Sequence, residues 1–426
     1  MSARLEDVQE QDCHPPCPAQ DRQPDRSLEL DLLLLCARWP QRPEDRNLIR
    51  EQVARQLDWQ RFLQLVQHHR LVPLVSHTLQ ASVFQKSSQE LDAALGELRD
   101  LSTLSAHQAL RCLAELHRIV QGLHARNISV RVLKGLPLAQ SVFGDLNLRA
   151  PGDIDILIDE SSILETDRVL RGFGYHGLFQ MERFSASRLT FYRSHWKDIT
   201  YTSAATGFEV DLHWRCFRNS AMPGAGLCAT GAFETVAFGG FRVDTLPRME
   251  GLLYLCVHGT LDGWLYLKSL VDVAAQVRSL TEAELDALAA LAGGYGIKPE
   301  LTAALCLVRR YLQMDHWSAR LLPQTDTTVA HILRYADRSL VQGGFQSDRD
   351  SIPISATISF EFGLRRNFRY RSELLLRILF RARMWETIPL PDWLFGIYPF
   401  LSPFEWAIYR LRHLWAKPPS GSTLSI

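Results

Sequence analysis

The chain has 426 residues, with 47 Lys and Arg against 47 Asp and Glu and a hydrophobic fraction of 46%. A formal net charge of zero excludes a protein that coats nucleic acid generally, and the apolar fraction excludes a chain disordered throughout. At roughly 100 to 200 residues per domain, this length calls for several structural units with ample material for a buried core.

Residues 1–27 are rich in Pro, Gln, Asp and Arg, show no hydrophobic period, and are expected to form a disordered leader. Cys13, His14 and Cys17 lie there without a second ligand pair nearby, so they read as tail rather than as a metal site. The other cysteines show no paired spacing, and no disulfide framework or zinc knuckle is legible. The N-terminus lacks the apolar stretch of a secretory signal, which points to a cytoplasmic, reducing location. Near the other end, Trp393 to Tyr409 is apolar but interrupted by Pro399, Pro403 and Glu405, and is short for a bilayer span.

From Leu28 to about Arg126, apolar residues recur at three- and four-residue spacing, as in Leu30, Leu33 and Leu34 or Leu91, Leu95 and Leu98. This predicts a helical region over 28–126, with Asp58 capping a helix that begins at Trp59. The period changes at Asn127. Ile128, Val130 and Val132 alternate with polar residues, then Lys134 and Gly135 lead into a helix from about Pro137 to Phe143. Asp153 to Ile158 predicts a second strand, Ser161 to Phe173 a helix, and Leu189 to Tyr192, Asp198 to Thr202 and Phe208 to Trp214 further strands. After Arg248 the helical period returns, with internal breaks at Gly293, Gly294 and the Gly343 to Pro353 segment. The expected fold class is therefore α+β, an α+β core over 127–247 flanked by helical regions at 28–126 and 248–426.

The chemistry concentrates in LKGLPLAQSVFGDLNLRAPGDIDILIDE. Asp153 and Asp155 are two apart on a strand and so project from one face, where two carboxylates repel unless a cation lies between them. Hard oxygen ligands on a rigid strand suit Mg²⁺; a solvated acidic strand end is the bland reading of the same pair. Gly135 at a strand-to-helix turn offers free N–H groups to phosphate. In FEVDLHW, Glu209, Asp211 and His213 share a face and bring a third carboxylate. Three strand-borne acids and a phosphate-cradling turn are what phosphoryl transfer assisted by metal ions requires.

The order LKG…R…DIDILI…DLHW resembles the DNA polymerase β-type nucleotidyltransferase superfamily and, within it, a bacterial family of uncharacterised nucleotidyltransferases. The resemblance extends to LDWQRFLQLVQHHRLVPLV, to HGTLDGWLYLKSLVDVA and to the tail LPDWLFGIYPFLSP, and so to most of the chain from Leu28. It implies a nucleotidyltransferase-type mixed β-sheet core and a nucleoside triphosphate donor whose NMP passes to an acceptor with loss of pyrophosphate. Two Mg²⁺ ions, or Mn²⁺, are implied on Asp153, Asp155 and Asp211, with Glu209 the runner-up for the third place. Lys134 and Gly135 would face the triphosphate. Where the superfamily commonly has Gly-Ser, Leu136 follows Gly135, so a hydroxyl contact to phosphate is missing, and the span from Gly135 to Asp153 is longer than usual.

Arg149 reads either as a phosphate contact or as a surface arginine. Lys268 reads either as a nucleotide-phosphate contact, as the resemblance suggests, or as a solvated helical lysine that could pair with Asp272 at i+4. His258 and Trp264 read as core, and His213 and Trp214 as packing and orientation around Asp211. Between Arg365 and Arg383, seven arginines face a single acid, Glu373, over an apolar stripe, which predicts a basic amphipathic helix. A solvated face against the body of the protein is its bland reading; weak contact with a membrane surface, RNA or an acidic partner is the sharp one.

The leading expectation is thus a Mg²⁺-dependent nucleotidyltransferase acting on an acceptor hydroxyl of a small molecule, a polysaccharide precursor or a protein, without stable nucleic-acid binding. The competing expectations are a catalytically inactive nucleotide-binding regulator or scaffold, and a protein anchored to membrane or RNA through the arginine-rich helix.

Overall fold

The computed structural model describes residues 26–83, 88–229, 231–314, 326–342, 354–380 and 384–402. Cys13, His14, Cys17, nearly all of the expected leader and the whole of the Gly343 to Pro353 break lie outside the described residues.

In chain order, the leading helices are α1 (Leu28–Cys36), α2 (Pro43–Val53), α3 (Trp59–His68), α4 (Val72–Ser82) and α5 (Gln89–His124). Then come β1 (Val130–Val132), α6 (Leu136–Leu138), which a π-helical turn extends over Ala139–Phe143, β2 (Ile154–Ile158) and α7 (Ile163–Gly172). They are followed by β3 (His176–Gly177), α8 (Ala186–His195), β4 (Asp198–Thr202), β5 (Glu209–His213), β6 (Glu234–Phe238) and β7 (Phe241–Thr245). The closing helices are α9 (Arg248–Leu261), α10 (Leu267–Arg278), α11 (Glu282–Gly294), α12 (Lys298–Leu312), α13 (Thr327–Gln342), α14 (Ile354–Leu364), α15 (Phe368–Leu379) and α16 (Met384–Thr387). The α+β class is as expected.

Two compact units divide the chain, one of Met1–Ser102 with Leu255–Pro353 and one of Thr103–Tyr254 with Ile354–Ile426. The first is helical. Ser27 caps α1 by accepting from the Leu30 amide, and Asp58 caps α3 by accepting from the Arg61 amide, which satisfies N–H groups the helices cannot pair internally. Its core includes Leu32, Leu33, Phe62, Val66 and Val75, all under 1% exposed, and the buried Arg38 guanidinium is held by Asp45 at 2.7 Å. Trp264 is buried here as expected, at a left-handed φ of 55° after Gly263.

The second unit is built on a seven-stranded sheet in the order β3-β4-β5-β2-β1-β7-β6, with β2/β5 and β1/β7 parallel and the other pairs antiparallel. Strict alternation gives this sheet two unlike faces. Val130, Val132, Ile154, Ile156, Ile199, Tyr201, Val210, Leu212 and Val243 point into the core, where Leu116, Ile119, Val120 and Leu123 of α5 and Leu170 of α7 join them. The opposite face carries Asp155, Asp198, Thr200, Glu209, Asp211 and His213, and a register slip of one residue would exchange the two sets.

Two elements differ from expectation. Leu189 to Tyr192 is not a strand but the middle of α8, which Ser185 caps by accepting from the Arg188 amide and which buries Tyr192 in the core. A four-residue apolar run carries no period long enough to separate strand from helix; the cap decides. The β6–β7 hairpin was not foreseen, although Gly239-Gly240 between two alternating runs is a two-residue hairpin signal. The structure also brings Cys216 and Cys228 together as a disulfide pair with Cα atoms 5.9 Å apart, a pairing that the cysteine spacing did not indicate.

Candidate functional site

The polar face of the sheet is densest where β2 meets β5. Asp155 stands directly opposite Asp211 in the parallel register, and Thr200 of β4 stands opposite Asp211 on its other side. One ligand atom from each of Asp155, Asp211 and His213 lies within 4.8 Å of the others. Asp155 is 3% exposed, Asp211 is half-buried, and Asp153, one residue before β2, is exposed.

Asp155 has a cation at one oxygen and a hydrogen-bond donor at the other. Burial opposes its ionisation, but the Lys134 ammonium 2.9 Å from Oδ2 and the His213 ring 3.2 Å from Oδ1 outweigh that and hold the carboxyl far below the usual carboxylate range. Asp211 behaves oppositely. Partial burial and the neighbouring Asp155 charge raise its pKa, although Thr200 Oγ1 donates to Oδ1 at 2.6 Å. Glu209 is raised too, by burial and by the charges of Asp153 and Asp211. An acidic focus with two members pushed up and one pushed down is unbalanced without a cation. The donor set of two carboxylates on adjacent strands, with a third one residue outside, fits a divalent metal ion.

His213 is 1% exposed, and Lys197 determines how it works. Lys197 Nζ lies 3.3 Å from His213 Nδ1, and an ammonium can only donate, so Nδ1 carries the lone pair and Nε2 carries the hydrogen. Nε2–H therefore points at Asp155, and His213 orients that carboxylate rather than offering it a competing lone pair. Its expected place is around Asp211, whereas its ring nitrogen meets Asp155. Asp198, 2.6 Å from Lys197 Nζ, completes the chain; burial disfavours its charge, but Lys197, His213 and Arg218 bring its pKa down to about 2. Lys197, Asp198 and Thr200 were missed as site residues. The alternation of β4 puts Asp198 and Thr200 on one face, but only the β4/β5 pairing sets them beside His213 and Asp211.

Gly135 has φ 83° and ψ −124°, a backbone region that is open essentially to glycine alone. Together with Lys134, Leu136, Pro151, Gly152 and Asp153 it lines a small pocket. Arg149 is only 8% exposed and donates from Nη1 to the Gly135 carbonyl at 3.3 Å, so it is held at the turn and is not a surface arginine. Lys134 is directed to Asp155. Lys268 is half-buried on α10, with Asp272 buried on the same helix, and both belong to the helical unit. His258 is half-buried and pairs with Asp262 at 3.2 Å, so it is not a core histidine. Trp214 is buried and donates from its indole to the Arg193 carbonyl.

Residues 55–313, more than half of the chain, match the family described as uncharacterised nucleotidyltransferases. The chain belongs to that family. A nucleotidyl-transfer role follows from the membership, and the acidic face of β2 and β5 lies within the matched span, as do Lys134, Gly135 and Lys268. The segment from Leu28 to Ala54 and the LPDWLFGIYPFLSP tail, which share the resemblance, lie outside the match. Neither a curated protein nor a solved structure matches the chain.

Proposed function

We propose that this nucleotidyltransferase-family chain moves an NMP from a nucleoside triphosphate to an acceptor hydroxyl, with Mg²⁺, or Mn²⁺ in its place, at the acidic face of β2 and β5. The observation that carries the reading is the side-by-side register of Asp155 and Asp211 on parallel strands, next to exposed Asp153 and to the Gly135 turn. Asp153, Asp155 and Asp211 would hold the metal. When bound, a divalent cation would neutralise these acids and stabilise negative charge on phosphate oxygens.

The chain's own groups have separable roles in this reading. His213 donates to Asp155 and keeps one of its oxygens turned toward the histidine, leaving the other to Lys134. Asp211, with its raised pKa, is the better proton acceptor and is suited to take the proton of an attacking hydroxyl. Arg149 donates to the Gly135 carbonyl and so helps hold the turn whose amides would face the triphosphate. Glu209 is the alternative third acid.

Incubation with each labelled nucleoside triphosphate, Mg²⁺ and a cell extract, followed by mass spectrometry, tests donor and acceptor together. Pyrophosphate release should vanish in Asp153→Asn with the fold kept, because Asp153 is exposed and its substitution removes no buried partner. Turnover equal to the parent in that variant sinks the reading. Leu136, which brings no hydroxyl to the turn, favours a second reading as an inactive nucleotide-binding regulator; thermal protection by a nucleoside triphosphate without any product would select it.

A further inference from the structure

Six of the eleven exposed large apolar side chains among the described residues lie between positions 368 and 400. They are not scattered. Helix α15 buries Tyr370 and Leu374, one turn apart, on one side. On the other side Phe368, 86% exposed, and Leu375, 50% exposed, are two turns apart, with half-buried Leu379 continuing the line. The helix thus has two apolar stripes, and packing accounts for only one of them. A second outward stripe follows in the chain: Trp393 is 81%, Ile397 39% and Phe400 73% exposed, at i, i+4 and i+7 across a 3₁₀ turn and the helical residues after it. The two segments are neighbours, since Ser402 Oγ donates to the Ile378 carbonyl and the Phe395 ring stacks on Phe380 with centroids 5.7 Å apart.

Exposed arginines border this surface. Arg366, Arg369 and Arg371 are exposed at the start of α15. Of the nearby acids, Glu373 lies 3.9 Å from Arg369 and also accepts from the backbone and hydroxyl of Ser220, Asp392 pairs with Arg188 at 2.8 Å, and Glu361 pairs with the half-buried Arg377, so Glu373 alone of these acids pairs with one of the three exposed arginines.

We propose that α15 and the Trp393–Phe400 segment form a docking surface for an anionic lipid bilayer. Apolar stripes flanked by arginine, with tryptophan and phenylalanine at the outer positions, suit the boundary between acyl chains and anionic headgroups. An RNA backbone would use the arginines but gain nothing from Leu375, Ile388 and Ile397. A second copy joined across a two-fold axis would bring the Arg369 and Arg371 side chains of both copies onto one small patch. The proposal is independent of the nucleotidyltransferase reading, since it uses none of the residues of the acidic face.

The test is co-sedimentation of the full chain with vesicles of phosphatidylcholine alone and of phosphatidylcholine mixed with phosphatidylglycerol. Binding should favour the anionic vesicles and weaken with salt. The triple variant Phe368→Ser, Trp393→Ser, Phe400→Ser should lower the partition coefficient by about tenfold or more, with an unchanged melting curve because all three side chains are exposed. Charge reversal by Arg369→Glu with Arg371→Glu should have a similar effect through a separate route. No binding to anionic vesicles overturns the proposal, as does binding that neither variant reduces. RNA binding or concentration-dependent dimerisation in place of vesicle binding would also overturn it.

Discussion

Lys134 Nζ lies 2.9 Å from Oδ2 of Asp155, so an ammonium compensates the most buried acid of a face otherwise suited to a divalent cation. Lysine and metal are then alternatives for the same charge. Lys134→Met should cost about 3 kcal/mol in metal-free chemical denaturation, since it leaves a buried carboxylate with one partner fewer. Added Mn²⁺ should restore part of that loss, and Mn²⁺ affinity measured by paramagnetic resonance without nucleotide should rise above that of the parent. Unchanged affinity would mean that Lys134 does not compete.

Asp211 should respond in the opposite sense. Its pKa is raised in the folded chain, chiefly by burial and then by Asp155, so its ionisation destabilises the metal-free fold as pH rises through its folded pKa. Asp211→Asn should raise the melting temperature of the metal-free protein at neutral pH while abolishing the increase that Mg²⁺ or Mn²⁺ gives the parent. A variant that melts lower and still gains from metal would remove Asp211 from the ligand set.

Acid should loosen the network around His213. Asp198 titrates near pH 2 in the fold against an ordinary 3.8, so the stability it contributes is complete above about pH 4 and is lost as pH falls toward about 2. Asp155 is depressed as well and adds to the same loss. Denaturation profiles from neutral pH down to this range should show a fall that is shallower in Asp198→Asn.

Gly135→Ala should cost about 1 to 3 kcal/mol from backbone strain alone, because no atom closer than 4.0 Å meets the added methyl group. The strain would relax by moving the turn away from Asp153. A loss of nucleotide-dependent thermal protection larger than the loss of metal binding is the expected pattern, read by melting curves with each ligand separately.

Gly259→Ala tests the helical unit. A Cβ there would come within 2.7 Å of the indole of Trp264, which is 1% exposed and has no room to yield. Overpacking of this kind should cost about 1 to 3 kcal/mol by chemical denaturation, whereas Gly293→Ala, with nothing within 4 Å, should not destabilise.

Much of the sheet was legible because strand alternation is local. Ile154, Ile156 and Ile158 against Asp153, Asp155 and Leu157 announce a strand with a core face and a polar face, and the same holds for Val210 and Leu212 against Glu209, Asp211 and His213. Leu189 to Tyr192 is too short a run to carry a period that separates strand from helix, whereas Gly239-Gly240 between alternating runs does carry a local hairpin signal. Arg149 could not be placed from spacing, since the distant Gly135 carbonyl decides it, whereas His258 and Asp262 are four residues apart and their pairing is open to an i,i+4 argument.

The sequence by itself determined the α+β class, the family and the residue types of the acidic face, because period, motif order and side-chain chemistry are written along the chain. Only the tertiary structure decided that β5 lies parallel to β2, so that Asp211 faces Asp155, and that β4 lies beyond it, so that Lys197 sets the histidine tautomer that orients Asp155. The physical reason is that charge balance at a buried carboxylate depends on distances of a few ångströms between strands. Those distances are fixed by hydrogen-bonded register among segments far apart in the chain, to which no local pattern is sensitive.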